Sequence, residues 1–252
     1  MGSMVARIIL FTLFLSFSAT AGTIEEEILE VVNLQIEKDF VPSAVIGLFE
    51  NGKESYLAYG ETELGSNAKP NENTLYEIGS ITKVFTGIIL ASLFNDGIVN
   101  LNDTISKYLT ELENYSAGSI TLLELSTHTS GLPRMPSNIA PADLLNPYAD
   151  YTEELLIEYL KSIRDLVHPT PFSWNNYSNL GVGLLGFVLF KATKTPFEKL
   201  LQERVLLPLG LTDTTITLSS NQLLRFAVPY NDYLEKVKPW DFDVLVSAGG
   251  IR

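Results

Sequence analysis

Apolar positions recur along the chain in two periods, and the changes between them mark out its elements. In residues 25–38, Ile28, Val31, Val32 and Ile36 fall roughly on one face, which predicts an amphipathic helix. Alternation then predicts strands over residues 43–50 and 55–59. Asn51-Gly52 lies between them, a strong hairpin signal because both turn positions take positive φ. Residues 61–73 are polar and read as loop. Ile81, Val84, Phe85, Ile88, Ile89 and Leu93 follow the 3.6 period, predicting a helix over residues 80–95 that Asp96-Gly97 stops. A short helix is expected over 122–126, then a loop over 128–133 and a surface loop over 134–151. Thr152 is expected to cap a further helix, with Glu153 and Glu154 favourable to its dipole. Residues 180–191 form a glycine-punctuated apolar helix. Thr195-Pro196 opens another that ends near Pro208-Leu209-Gly210, and residues 214–218 read as a short strand. There is no internal repeat. One hairpin is not a stable sheet by itself, so partner strands are expected elsewhere.

The first 21 residues carry a different pattern. Arg7 precedes an apolar run over residues 8–17, and Ala19-Thr20-Ala21 is a small-x-small cleavage signature. This reads as a secretory signal peptide cleaved after Ala21, with a secreted or periplasmic mature domain over residues 22–252. No later stretch is long and apolar enough to span a bilayer, so no stable membrane span is expected after signal removal. Asn102, Asn114 and Asn176 sit in N-x-S/T sequons, which matter only in a eukaryotic secretory pathway.

Composition narrows the chemistry. The 252 residues carry 30 acidic and 17 basic side chains, for a net charge of −13. Without a Lys/Arg run to neutralise phosphates, no nucleic-acid partner is expected. No cysteine is present, which excludes disulfides, thiolate metal sites and a cysteine nucleophile. The two histidines, His128 and His168, lack a carboxylate or second histidine at ligand spacing and are assigned to loop structure. No metal and no cofactor are expected. Neither a G-x-S-x-G elbow, nor H-E-x-x-H, nor a P-loop occurs.

S-x-x-K occurs twice, and chance alone predicts about one match at this composition. Context separates the two. Ser66 and Lys69 lie in a loop ending in Pro70, where nothing fixes their geometry. Ser80 follows Gly79 and begins an amphipathic helix, so Lys83 stands on the same face one turn above it. A helix start also offers N–H groups and partial positive charge to a developing oxyanion. An apolar setting can depress a lysine's proton affinity enough for it to take the serine proton. Tyr177-Ser178-Asn179 adds a second element. A tyrosine beside an ammonium loses its proton more readily, and Asn179 could hold Lys83 and a substrate amide. The bland alternative is a packed tyrosine ring with Asn179 as helix N-cap.

Together with their flanks, these residues resemble a family. Residues 78–87, from Ile78-Gly79-Ser80 through Lys83 to Gly87, are similar to the nucleophile motif of class C β-lactamases, related D-alanyl-D-alanine peptidases and family VIII-type esterases. His128-Thr129-Ser130-Gly131-Leu132-Pro133 resembles a recurring loop of that family. Asn176-Tyr177-Ser178-Asn179, with the apolar helix after it, resembles its Y-x-N motif. Residues 208–214, Trp240-Asp241-Phe242 and Ser247-Ala248-Gly249-Gly250 resemble its later segments. The resemblance implies an α/β (α+β) fold of β-lactamase/transpeptidase type, an antiparallel sheet flanked by helices plus an all-helical region. It implies acyl transfer through Ser80, with Lys83 and Tyr177 sharing the proton work and Asn179 orienting. The implied partner is a small-molecule or peptidoglycan-derived substrate: a β-lactam, a D-Ala-D-Ala peptide or, in an esterase, an ester. The family's third motif, K-T-G or H-x-G on a late strand, has no counterpart here, so the domain is expected to be incomplete at its C-terminus. That departure keeps a non-catalytic penicillin- or peptidoglycan-recognition module as the alternative.

Overall fold

The computed structural model describes residues 23–37, 41–166 and 176–252. The expected leader and its expected cleavage point, together with His168, lie outside these residues.

Helix α1 (Ile24–Glu37) is followed by an antiparallel hairpin of β1 (Ser43–Glu50) and β2 (Lys53–Gly60). Its turn is the one expected: Asn51 takes φ 51° and Gly52 φ 77°, the positive pair that matches the twist of the flanking strands. Among the described residues this hairpin is the only sheet. Helix α2 runs Thr82–Asn95, preceded by a 3₁₀ turn over Gly79–Ile81. A short α3 (Leu122–Ser126) carries a full capping box between Thr121 and Glu124, so two backbone donors at its start are satisfied reciprocally. Helix α4 spans Glu153–Ser162, and α5 spans Asn179–Thr193. The next helix is broken where one was expected. It comprises α6 (Phe197–Leu201), a π turn over Gln202–Leu206 and α7 (Leu207–Leu209), ended by Gly210 at φ 67°. A short α8 spans Ser220–Leu223.

Helix α5 is the axis of the core. Every residue from Leu180 to Leu189 is buried, as expected of a helix that is apolar all round. Helices α2, α3 and α6 pack against it, as does a 3₁₀ turn over Val246–Ala248. That last contact depends on glycine. A Cβ on Gly183 would lie 2.4 Å from Leu245 Cδ2, and one on Gly186 would lie 2.2 Å from Ser247 Oγ. The stripe lets the turn sink onto α5, where Ser247 donates its hydroxyl to Val182 O at 2.8 Å. Two buried threonines of α2 hold the turn from the other side. Thr86 donates to Ser247 O at 2.8 Å, and Thr82 Oγ1 accepts the Ile251 N–H at 3.1 Å.

Three local expectations change. Residues 214–218 form no strand; Thr215 instead exchanges two backbone hydrogen bonds with Arg252, at 2.9 and 2.8 Å. Glu198 collects the Ile216 and Thr217 N–H groups, so a carboxylate takes the place of a strand partner. The segment 134–151 is loop, but not all surface: Tyr151 is fully buried and Asn146 nearly so. Thr152 holds the N-cap position of α4 without a side-chain cap bond. No single described helix is long and apolar enough to cross a membrane.

Candidate active site

Gly79 stands at φ 52°, a left-handed conformation that costs an L-residue roughly 1–2 kcal/mol. It turns the chain into the 3₁₀ segment that carries Ser80. Lys83 lies three residues on, in the first turn of α2, and side chains at i and i+3 along a helix share a face. Its Nζ donates to Ser80 Oγ at 2.9 Å. The serine is exposed while the lysine is half-buried. Lys83 Nζ also donates to Ala248 O at 2.6 Å. The turn seated on the glycine stripe of α5 thus supplies the second anchor for the lysine. The other pair, Ser66 and Lys69, is not assembled: Ser66 Oγ donates to Glu63 O and accepts from Ala68 N.

Tyr177 and Asn179 come from the start of α5. The true N-cap is Ser178, whose Oγ accepts from Gly181 N at 2.8 Å and donates to Pro133 O at 2.6 Å. Asn179 is the first helical residue, not the cap. Arg134 O accepts both the Asn179 and Leu180 N–H groups, at 3.0 and 3.2 Å. The 128–134 loop and the start of α5 are therefore held together. Lys83 Nζ lies 5.0 Å from the Tyr177 ring centroid, and the Arg134 guanidinium carbon lies 5.3 Å from it. Asn179 does not hold Lys83. Its Nδ2 meets Met135 Sδ at 3.7 Å, and its buried Oδ1 has no hydrogen-bond partner.

Electrostatics favour an accessible free amine. Burial pulls the Lys83 ammonium below its ordinary value; the neighbouring Tyr177 pulls it back up, and the Arg134 charge adds to the lowering. Gly79, Ser80, Tyr148, Asn179, Phe242 and Ala248 are among the residues lining a cleft of about 70 Å³. Tyr148 stacks on Phe242, rings 4.9 Å apart and 8° from parallel, with Trp240 edge-on to Tyr148 at 5.2 Å. Asn146 fixes this wall by exchanging hydrogen bonds with Asp241 at 3.0 and 2.8 Å. Among the described residues no three His, Asp or Glu side chains gather as metal ligands would.

Sequence reading missed Ser178 as cap, the Tyr148 side of the cleft and the Ala248 carbonyl. A serine immediately before a glycine-rich apolar helix was a signal for the first; the other two come from distant segments and had none.

A helix-layer α+β fold in which a serine and a lysine meet where a helix begins, packed on a second, buried helix, is the architecture of the class C β-lactamases. The chain belongs to the Beta-lactamase family, whose model matches residues 31–251. It is 30% identical over 223 residues to a beta-lactamase of Providencia stuartii, covering 88% of this chain and 55% of that protein. It is 33% identical over 207 residues to the D-alanyl-D-alanine-carboxypeptidase/endopeptidase AmpH of Escherichia coli K12, covering 79% and 52%. The class C beta lactamase of Rhodobacter sphaeroides superposes with a TM-score of 0.75 at 26% identity, covering 88% of this chain and 60% of that one. The chain spans about half the length of the curated relatives it matches.

Proposed function

We propose that the protein is a serine hydrolase that acts on a β-lactam or a D-Ala-D-Ala-type amide through an acyl-serine intermediate. One observation carries the reading: Lys83 Nζ is held between Ser80 Oγ at 2.9 Å and Ala248 O at 2.6 Å, beside Tyr177. Ser80 Oγ attacks the carbonyl carbon, and its proton passes to the Lys83 amine. The carbonyl π pair moves onto oxygen, and the Ser80 N–H donates to that oxyanion; one such donor is worth roughly 3 kcal/mol in other hydrolases. Collapse breaks the C–N bond, and the leaving nitrogen takes a proton through Tyr177. Water then attacks the ester, and Ser80 recovers its proton as the acyl group leaves as a carboxylic acid. Asn179, whose Oδ1 has no partner at the cleft, orients the substrate amide.

The Tyr148–Phe242 wall supports a substrate with a flat or apolar group beside the scissile carbonyl, a description an ester of the same shape also fits. The name of the AmpH relative supports the peptide arm, and that of the Providencia relative the lactam arm. Residues 1–21 support export, with a mature start at Gly22; the intact mass of protein recovered from the host's envelope or medium checks the cleavage point.

The test is labelling by a fluorescent penicillin, read by intact mass, beside turnover of nitrocefin, a p-nitrophenyl ester and a D-Ala-D-Ala peptide. Wild type is expected to gain one acyl group and Ser80→Ala none. Undiminished labelling of Ser80→Ala would sink the assignment, and binding without any mass gain would make the protein a recognition module.

A further inference from the structure

His128, expected to serve only loop structure, lies against the proposed proton-handling pair. It takes φ 60°, a region non-glycine residues rarely enter. Thr129 N donates to Glu124 O at 2.9 Å across it, which closes the turn after α3. The His128 imidazole lies over the Tyr177 ring, centroids 4.5 Å apart and 37° from parallel. Its Nδ1 accepts the Ser178 N–H at 3.1 Å. An accepting Nδ1 carries no proton, so the neutral ring holds its hydrogen on Nε2. One imidazole therefore touches the Tyr177 ring by its face and the Ser178 backbone by its nitrogen. Ser178 in turn caps α5.

The charged groups around it set what protonation would do. Lys83 comes from α2 and Arg134 from the loop beyond, each within 5.3 Å of the Tyr177 ring centroid. The Glu124 carboxylate on α3 accepts from Thr121 N and Oγ1, at 2.8 and 2.9 Å, closing its own cap. Burial, then the Lys83 charge, hold His128 below the usual histidine value.

Resting on the reading of Ser80 as the acylated residue, we propose that His128 is a positioning residue whose neutral Nε2–H imidazole latches the Tyr177–Asn179 segment beside Lys83, and whose protonation opens that latch. A protonated Nδ1 is a donor facing the Ser178 donor, so the bond is lost. The ring also becomes a third cation next to Lys83 and Arg134.

Two readouts on the full chain test this. In ¹H–¹⁵N spectra from pH 8 to pH 5, the Ser178 amide is expected to move with the same midpoint as the His128 ring nitrogens. In His128→Asn the Oδ1 takes the place of Nδ1, and asparagine tolerates positive φ. That amide is expected to stay put across the range. His128→Gly keeps the backbone conformation but removes both contacts, and is expected to lower penicillin labelling about tenfold or more above the His128 midpoint and to converge with wild type below it. His128→Asn is expected to restore most of that loss and to lack the acid limb that wild-type labelling shows at the His128 midpoint. A Ser178 amide that ignores the His128 titration, or an unchanged acid limb in His128→Asn, overturns the latch. If the amide titrates as stated but wild type is never acylated, the latch stands and the reading of Ser80 falls.

Discussion

At the scale of single residues, the balance to decide is which form of Lys83 is present. Burial lowers its proton affinity, while Tyr177 opposes this and Arg134 reinforces it. A lysine with a lowered value releases its proton at lower pH than a free one, so the amine that can accept the Ser80 proton becomes available sooner. Acylation is expected to rise with pH through an inflection below the ordinary lysine value of 10.5, measured as labelling rate against pH. Lys83→Arg keeps a cation at the site but cannot give up its proton. It is expected to slow labelling by about 100-fold or more, the usual worth of a general base. Wild-type rates in Lys83→Arg would assign the proton transfer to Tyr177. This pair was legible in the sequence because i and i+3 at a helix start are neighbours whatever the rest of the fold does. The 3₁₀ turn that carries Ser80 was not, since its geometry answers to Gly79 and to the bond from Ile78 N to Ile251 O at 3.1 Å.

At the scale of elements, the site depends on how closely the Val246–Ala248 turn approaches α5. Gly186→Ala would place a methyl carbon 2.2 Å from Ser247 Oγ. Overpacking of this kind costs about 1–3 kcal/mol, read as a lower denaturation midpoint in urea. The same shift carries the Ala248 carbonyl away from Lys83, so labelling is expected to fall further than stability alone explains. Gly52→Ala in the exposed hairpin turn is the control: a Cβ there meets nothing within 4 Å, but φ 77° strains an alanine, so stability is expected to fall and labelling to fall no further than stability explains. Element types and order were readable because the hydrophobic period is a local property. The strand expected over residues 214–218 was not formed, because Glu198 and Arg252 satisfy that backbone from elsewhere in the chain.

At the scale of the whole molecule, pH links the site to stability. His128 has a lowered value in the folded protein, so the unfolded chain binds more protons between that value and about 6.5, and stability rises with pH there. Its contribution is complete above the unfolded value and is lost as pH falls through the folded one. Asp103 and Asp213 are held low by their partners and give up their contributions only in a lower window, beneath the ordinary carboxylate value. The stability of wild type relative to His128→Asn is therefore expected to fall as pH drops from about 6.5 through the His128 value. A difference that does not change with pH would remove His128 from the account.

By itself, the sequence determined the hairpin, the helices and the Ser80–Lys83 pair, along with the chemistry that zero cysteines and two histidines leave open. Each follows from composition or from neighbours within one turn. Only the tertiary structure decided what surrounds that pair. Ala248 reaches Lys83 across 165 positions of chain. Tyr148 and Phe242 meet where Asn146 bonds to Asp241 and Asp243 N donates to Tyr148 O, and His128 finds Ser178 fifty residues away. Contacts of that span depend on close packing around α5, and a one-dimensional pattern of apolar and polar positions carries no record of which distant surfaces will fit.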